Sequence, residues 1–139
     1  MFSLVLIVHS WLRWVILLVA LLALAKHIVG LARGGEYDAM SRGLMAAFSG
    51  LMDLQALIGL VTLITGWQAF TAVGFPLPQV EHVSAMLLAA IAAHLPALWK
   101  ERPAAVRYRN GLMAMIAALI LIVLGVSTLV GNRWVLRGL

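Results

Sequence analysis

The stretch VILLVALLALA, residues 15–25, decides the fold of this chain, because eleven consecutive apolar residues without a turn signal are typical of a helix in lipid. Comparable apolar segments recur along the sequence, and crossing a hydrocarbon core takes roughly 20 residues. The chain is therefore predicted to be an all-α integral membrane protein, a four-helix transmembrane bundle in a single domain over residues 1–139. The predicted spans cover about residues 2–31, 44–66, 80–99 and 111–130.

The composition of the 139 residues agrees with this prediction: 64% are hydrophobic, 11% are charged and the mean hydropathy is +1.06. A soluble domain is usually about 45–50% apolar and about 25% charged. The chain has no cysteine, which excludes disulfides, thiolate metal sites and iron–sulfur clusters. The net charge of +5 does not indicate nucleic acid, because basic residues at helix ends orient membrane proteins. The lipid bilayer is the predicted partner.

Three connections are predicted between the spans, at residues 32–43, 67–79 and 100–110. Pro76 and Pro78 are expected to prevent a helix in the second connection, and Pro96 to bend or loosen the end of the third span. Lys and Arg residues are concentrated beside the first and third connections, seven against three, so the positive-inside rule places both termini outside. The seven are Lys26, Arg33, Arg42, Lys100, Arg102, Arg107 and Arg109; the three are Arg13, Arg133 and Arg137.

Two histidines near the outer ends of the spans are the first candidates for chemistry. Spans one and three run in the same direction, so His9 and His82 are expected at similar depth on helices that can face each other. Paired imidazoles across a bundle can hold haem b. The alternative is two interfacial histidines, packed or solvated. Arg13, one turn from His9, can bind a haem propionate or pair with Glu81, which can also accept a hydrogen bond from a histidine ring.

His27 and His94 suggest a second pair at the opposite ends of the same spans. Eighteen residues separate His27 from His9, about 27 Å, and twelve separate His94 from His82, about 18 Å. If the outer pair is level, the inner pair is offset by roughly 9 Å. A second bis-histidine site is therefore possible but not favoured.

Span two contributes an ionisable residue and a distinctive face. Asp53 lies within the span and needs a partner, with Lys26 or His27 nearest in depth. Small and polar residues on one side of this helix permit close approach of another helix, which is the favoured reading, or of a flat macrocycle. They are Gln55, Gly59, Thr62 and Gly66.

Several short motifs resemble a group of small four-helix bacterial membrane proteins labelled cytochrome b. The matching stretches are HSWLRW at 9–14, LQALIG at 54–59, VEH at 80–82 with Met86, and AAH at 92–94. The resemblance implies a haem-binding electron-transfer protein of the bacterial inner membrane. In the family pattern a histidine often stands two residues before the glutamine, where this chain has Asp53. That departure counts against a second haem.

The expected function is that of a b-type cytochrome subunit within a respiratory or photosynthetic complex. His9 and His82 are its predicted axial ligands, one haem b is expected with a second possible, and a quinone or other subunits are the redox partners. The chain is not expected to be an enzyme on its own. One alternative is a cofactor-free accessory subunit. A small transporter or a metal-handling protein, for example with copper on His82 and Met86, is disfavoured because the two halves show no inverted repeat.

Overall fold

The computed structural model describes residues 2–72, 74–129, 131 and 134, and it is built from helices. A short 3-10 helix, Leu95–Trp99, extends the third α-helix. With that extension, all four helices are long and apolar enough to cross a membrane. The predicted all-α architecture with four apolar helices is confirmed. The α-helices are α1 (Phe2–Arg33), α2 (Ala39–Thr71), α3 (Leu77–His94) and α4 (Ala104–Ser127).

The helices are longer than the predicted spans and the connections are shorter. Helical residues occupy most of the three predicted connections, leaving 34–38, 72–76 and 100–103 between the four helical segments. The prediction of a polar break through residues 107–110 is wrong, because these residues form the first turns of α4. Polar side chains such as arginine are good helix formers, so a helix can continue beyond the apolar stretch. The predicted end of span four, Val130, and the basic residues Arg133 and Arg137 lie outside the described residues.

Local chemistry explains where the helices begin and end. Gly34 follows α1 with φ of +62°, a left-handed conformation that glycine adopts without strain. The Asp38 carboxylate caps α2 by accepting the Ser41 backbone N–H at 2.8 Å. Pro76 caps α3 and Pro78 lies in its first turn, so these prolines start a helix where the sequence suggested a loop.

The four helices form an antiparallel bundle with consecutive helices side by side. Helices α1 and α3 each pack mainly against α2 and α4, so α1 and α3 are diagonally opposed. One end of the bundle carries His9 and His82 and is called the His9 end. The other carries the connections 34–38 and 100–103 and is called the His27 end.

Between the two ends lies a closely packed apolar layer. Its alanines allow the helix backbones to approach one another, as small residues do in membrane bundles. Larger side chains, Phe48 and Met115, are fully buried among them. The layer separates two groups of polar side chains, and these groups differ in how they are satisfied. Its buried residues include Ile16, Ala20, Ala23, Phe48, Ala89, Ala93, Met115 and Ala118.

Candidate functional site

His9 and His82 meet across the diagonal of the bundle. Their ring centroids are 6.3 Å apart and the ring planes are inclined by 76°. The expectation that these residues face each other is confirmed by this contact. The residues around His9 and around His82 do not by themselves determine this contact, because it depends on the register of α1 and α3, which are not adjacent.

The His82 ring is oriented by a backbone carbonyl of α4. Its Nδ1–H donates to the Gly125 oxygen at 2.7 Å, which leaves Nε2 with its lone pair exposed. A side chain at Gly125 would place its Cβ 2.8 Å from the Ala85 Cβ, so glycine permits the approach of α3 to α4 that forms this bond. The prediction that Glu81 serves as the acceptor is wrong, since Glu81 is exposed and the carbonyl takes its place.

His9 is held by α2 but keeps an unsatisfied ring nitrogen. The Gln55 amide donates to the His9 carbonyl oxygen at 3.0 Å and lies 3.4 Å from His9 Nε2. His9 Nδ1 and Gln55 Oε1 are both buried without a hydrogen-bond partner. The ring lies against Gly59, where a Cβ would come within 3.0 Å of His9 Cε1. Buried polar atoms are rarely left unpaired, so two together are typical of a site that binds something.

A cavity of about 400 Å³ adjoins both imidazoles. Its wall is mostly apolar, with Gln55, Thr62 and Gln79 as polar exceptions. The exposed side chains of Leu57 and Leu87 also line it, which places its opening between α2 and α3. Helix packing, the favoured use of the α2 face, is confirmed at Gly66. A Cβ atom at this position would lie within 2.4 Å of the Phe2 ring, so glycine permits the contact. The same face also borders the cavity.

Arg13 lies on the other side of the histidine pair. It lines a second, smaller cavity of about 80 Å³ together with His9 and His82. Its guanidinium carbon is 5.4 Å from the Trp14 ring centroid and 5.2 Å from that of Trp134, so it contacts two indole rings. The alternative pairing of Arg13 with Glu81 is wrong: in the described part of the chain the ion pairs join Lys26 to Asp38 and His94 to Asp53.

His27, by contrast, is fully buried with both ring nitrogens bonded. Its Nδ1–H donates to the Ala23 carbonyl at 2.8 Å, so Nε2 accepts from the Tyr37 hydroxyl at 3.1 Å. Tyr37 and Tyr108 pack edge-on against the imidazole, with centroids 5.6 and 5.4 Å away. Neither nitrogen is available to a metal, so the possible second ligand pair containing His27 is not formed.

The hydroxyls around His27 continue into a wider network. Tyr108 donates to the Glu36 carbonyl at 2.7 Å and lies 3.1 Å from the Ser41 hydroxyl. Ser41 in turn donates to the Asp38 carboxylate, which pairs with Lys26 at 2.6 Å. The Lys26 ammonium and the Ser41 donors hold the pKa of Asp38 below its usual range. This network joins α1, α2, α4 and the first connection.

Tyr37 lies in the connection between α1 and α2, and its hydroxyl belongs to the same network. Burial raises the pKa of Tyr37, and this effect outweighs the Arg107 guanidinium 3.9 Å from its ring centroid. Tyr37 therefore remains a neutral donor to His27. The hydrogen bonds that link His27, Tyr37, Tyr108, Ser41 and Asp38 therefore have a structural role at this end.

His94 lies apart from the other three histidines. Its Nδ1–H donates to the Ala90 carbonyl at 2.9 Å and its Nε2 lies 3.2 Å from Asp53 Oδ2. The expected partners of Asp53, Lys26 and His27, are therefore wrong. The structure puts His27 in the core and His94 on the surface, so it does not bring them together as a pair, and the predicted offset in depth stays a prediction.

Helix α4 also contributes to the polar contacts at both ends of the bundle. It supplies the Gly125 carbonyl to His82 and the Tyr108 ring to His27. A backbone carbonyl has no sequence signature. Tyr108 has such a signature, as an aromatic hydroxyl beside Arg107, Arg109 and Asn110 at a span end, although these residues are predicted to form a connection.

Comparison of the chain with protein-family models, curated proteins and solved structures gives no match. The fold and the site therefore define a class from geometry alone: a four-helix, membrane-type bundle with a facing histidine pair beside a cavity at one end.

Proposed function

We propose that this chain is a membrane b-type cytochrome subunit that binds one haem b between His9 and His82. The observation that carries the proposal is the His82 ring, whose Nδ1–H is held by Gly125 while Nε2 remains available beside the cavity. A histidine ligand to a metal commonly donates its other ring nitrogen to a carbonyl, which fixes the tautomer. His9 completes the pair from the opposite helix.

The spacing of the two rings suits this role. Imidazoles bound to opposite faces of one metal have ring centres about 6 Å apart, since the metal–nitrogen bond is about 2 Å and the centre lies roughly 1 Å behind the nitrogen. The observed separation is 6.3 Å. The weak 3.4 Å contact of Gln55 with His9 Nε2 is the one that ligation displaces, while its 3.0 Å bond to the His9 carbonyl can remain.

The number of protein ligands also favours haem over a bare metal ion. In the part of the chain that the structure describes, no group of three or more His, Asp or Glu side chains is able to hold an ion. A zinc site takes three or four protein ligands, whereas haem iron needs at most two axial ones. Haem bound here supplies a one-electron couple between ferric and ferrous iron.

The remaining residues of the site have complementary roles. The Arg13 guanidinium lines the smaller cavity and can bind a propionate. Gly59 leaves room for the His9 ring. The mostly apolar wall excludes water and suits the porphyrin faces.

The proposal extends to the setting of the protein. The proposed setting is a bacterial inner membrane, which the sequence resemblance suggests, with both termini outside, which the distribution of basic residues favours. Its electron partners are a quinone or other subunits of a respiratory or photosynthetic complex. The bundle acts as a carrier of electrons within that complex, without an enzymatic reaction of its own.

A reduced-minus-oxidised visible spectrum of the purified chain tests the proposal. The wild type is expected to show a low-spin haem b signal, and either His9→Ala or His82→Ala is expected to abolish it. His27→Ala and His94→Ala are the matched controls and keep most of the haem per folded molecule. A wild type without haem overturns the proposal in favour of a cofactor-free accessory subunit. Haem that survives both substitutions shows that its ligands lie elsewhere.

A further inference from the structure

The Asp53–His94 pair lies on the outer surface of the bundle, where α2 and α3 meet. Its side chains are 61% and 50% exposed, although both helices belong to the apolar spans. Ionisable groups in such helices usually face the bundle interior, because contact with hydrocarbon is costly. The fold itself does not cover this pair.

Both members of the pair lie within their helices and not at the helix ends. Asp53 is 14 residues from Ala39 and 18 from Thr71, about 21 and about 27 Å along α2. His94 is 17 residues from Leu77, and the 3-10 helix that follows adds roughly 10 Å. Asp53 therefore lies towards the middle of α2 and His94 in the last third of the third span, and both helices are apolar enough to cross a membrane.

The neighbouring surface of α2 is flat and unused by the fold. Ala46 and Gly50 are exposed on the same side as Asp53, with the exposed Ala47 beside them, and a Cβ at Gly50 would meet nothing within 4 Å. Gly59 and Gly66, by contrast, pack against His9 and Phe2 inside the bundle, whereas Gly43 is open like Gly50. Small residues on an exposed helix face permit close approach of a second helix.

We infer that this surface, which consists of Ala46, Ala47, Gly50, Asp53 and His94, binds a second copy of the chain. A patch that holds both members of an ion pair is complementary to itself under two-fold rotation, so Asp53 of each copy can meet His94 of the other. The contact covers both polar side chains, which the fold leaves exposed. An unrelated partner would need its own matched acid and base at this depth, whereas a second copy already has them.

The absence of cysteine from the chain provides a direct test in native membranes. Gly50→Cys is expected to give a disulfide-linked dimer on mild oxidation, because the same residue of each copy lies near the two-fold axis. Leu18→Cys, on an exposed site of α1, is the matched control and is expected to cross-link at least five-fold less. Equal yields at the two positions, or cross-links to other proteins only, overturn the inference.

Two charge variants then test whether Asp53 and His94 pair between copies. Asp53→His leaves two imidazoles on the patch, and His94→Asp leaves two carboxylates, so each variant loses its internal pair. When differently tagged copies carrying Gly50→Cys are co-expressed, the mixed dimer is expected to exceed both self-dimers at least three-fold. A statistical mixture, or loss of all three dimers while the chains remain inserted, shows that these charges do not join the copies. The readout is independent of haem.

Discussion

The two ends of the bundle use the same residue type in opposite ways. At the His27 end, the imidazole donates from one nitrogen and accepts at the other, and two tyrosine rings enclose it. At the His9 end, one ring nitrogen of His9 has no partner and His82 has one bond, with a cavity beside both. A buried histidine whose bonds are complete stabilises the fold. One with bonding capacity left over is a candidate for binding.

The stability of the cofactor-free bundle is expected to show the largest difference between the two ends. His27→Ala removes a fully buried ring and leaves the Tyr37 hydroxyl unpaired, so it is expected to cost about 2–4 kcal/mol of unfolding free energy. His82→Ala is expected to cost less, because its ring borders a cavity and it loses a single hydrogen bond. Detergent-denaturant titrations followed by circular dichroism measure both. Equal losses would remove the distinction between the ends.

A smaller effect is expected from filling the space beside His9. Gly59→Ala places a methyl group 3.0 Å from His9 Cε1, so the ring must shift by a few tenths of an ångström. Haem affinity is expected to fall a few-fold with little change in helix content. Gly50→Ala is the control, because its Cβ meets nothing within 4 Å. Titration of haem into the apoprotein distinguishes the variants, and identical affinities would show that Gly59 does not position the ligand.

The smallest expected effect concerns pH at the His27 end. Because the folded state lowers the pKa of Asp38, its contribution to stability is complete above its ordinary pKa, about 3.9, and is lost as pH falls through the lowered value. Asp38→Asn should therefore be slightly less stable than wild type at pH 5 and above. The difference should disappear in stronger acid. The pair is exposed, so the effect is modest. A difference that grows in acid would contradict the assignment.

The sequence predicts the helices more reliably than their limits. Long apolar runs fix the number of membrane-type helices, because no other structure satisfies the backbone in lipid. The helices extend further than predicted at residues 107–110, since hydropathy marks where lipid ends and not where hydrogen bonding stops. Pro76 and Pro78 are predicted to prevent a helix, but they lie at the start of α3, where proline is favourable.

The depth argument predicts one part of the site and fails in another. The matched depth of His9 and His82 on parallel spans agrees with their contact, although the register of the helices is what completes it. For Asp53 the estimated depth is wrong, because Lys26 pairs with Asp38 at the start of α2, which is 15 residues or about 22 Å from Asp53. The Gly125 carbonyl could not be found from side-chain types, because every residue has one and only the packed register selects it.

The apolar layer between the ends has an electrical consequence. His9 and His27 are eighteen residues apart on α1, about 27 Å, which is close to the thickness of the insulating hydrocarbon. Moving one elementary charge through a membrane potential of 100 mV changes its energy by about 2.3 kcal/mol. If a haem binds at the His9 end as proposed, electron exchange with a partner at the same end moves no charge through this insulator. The redox equilibrium of such a protein therefore does not depend on the membrane potential. Its electron transfer neither adds to the energy stored in that potential nor uses it.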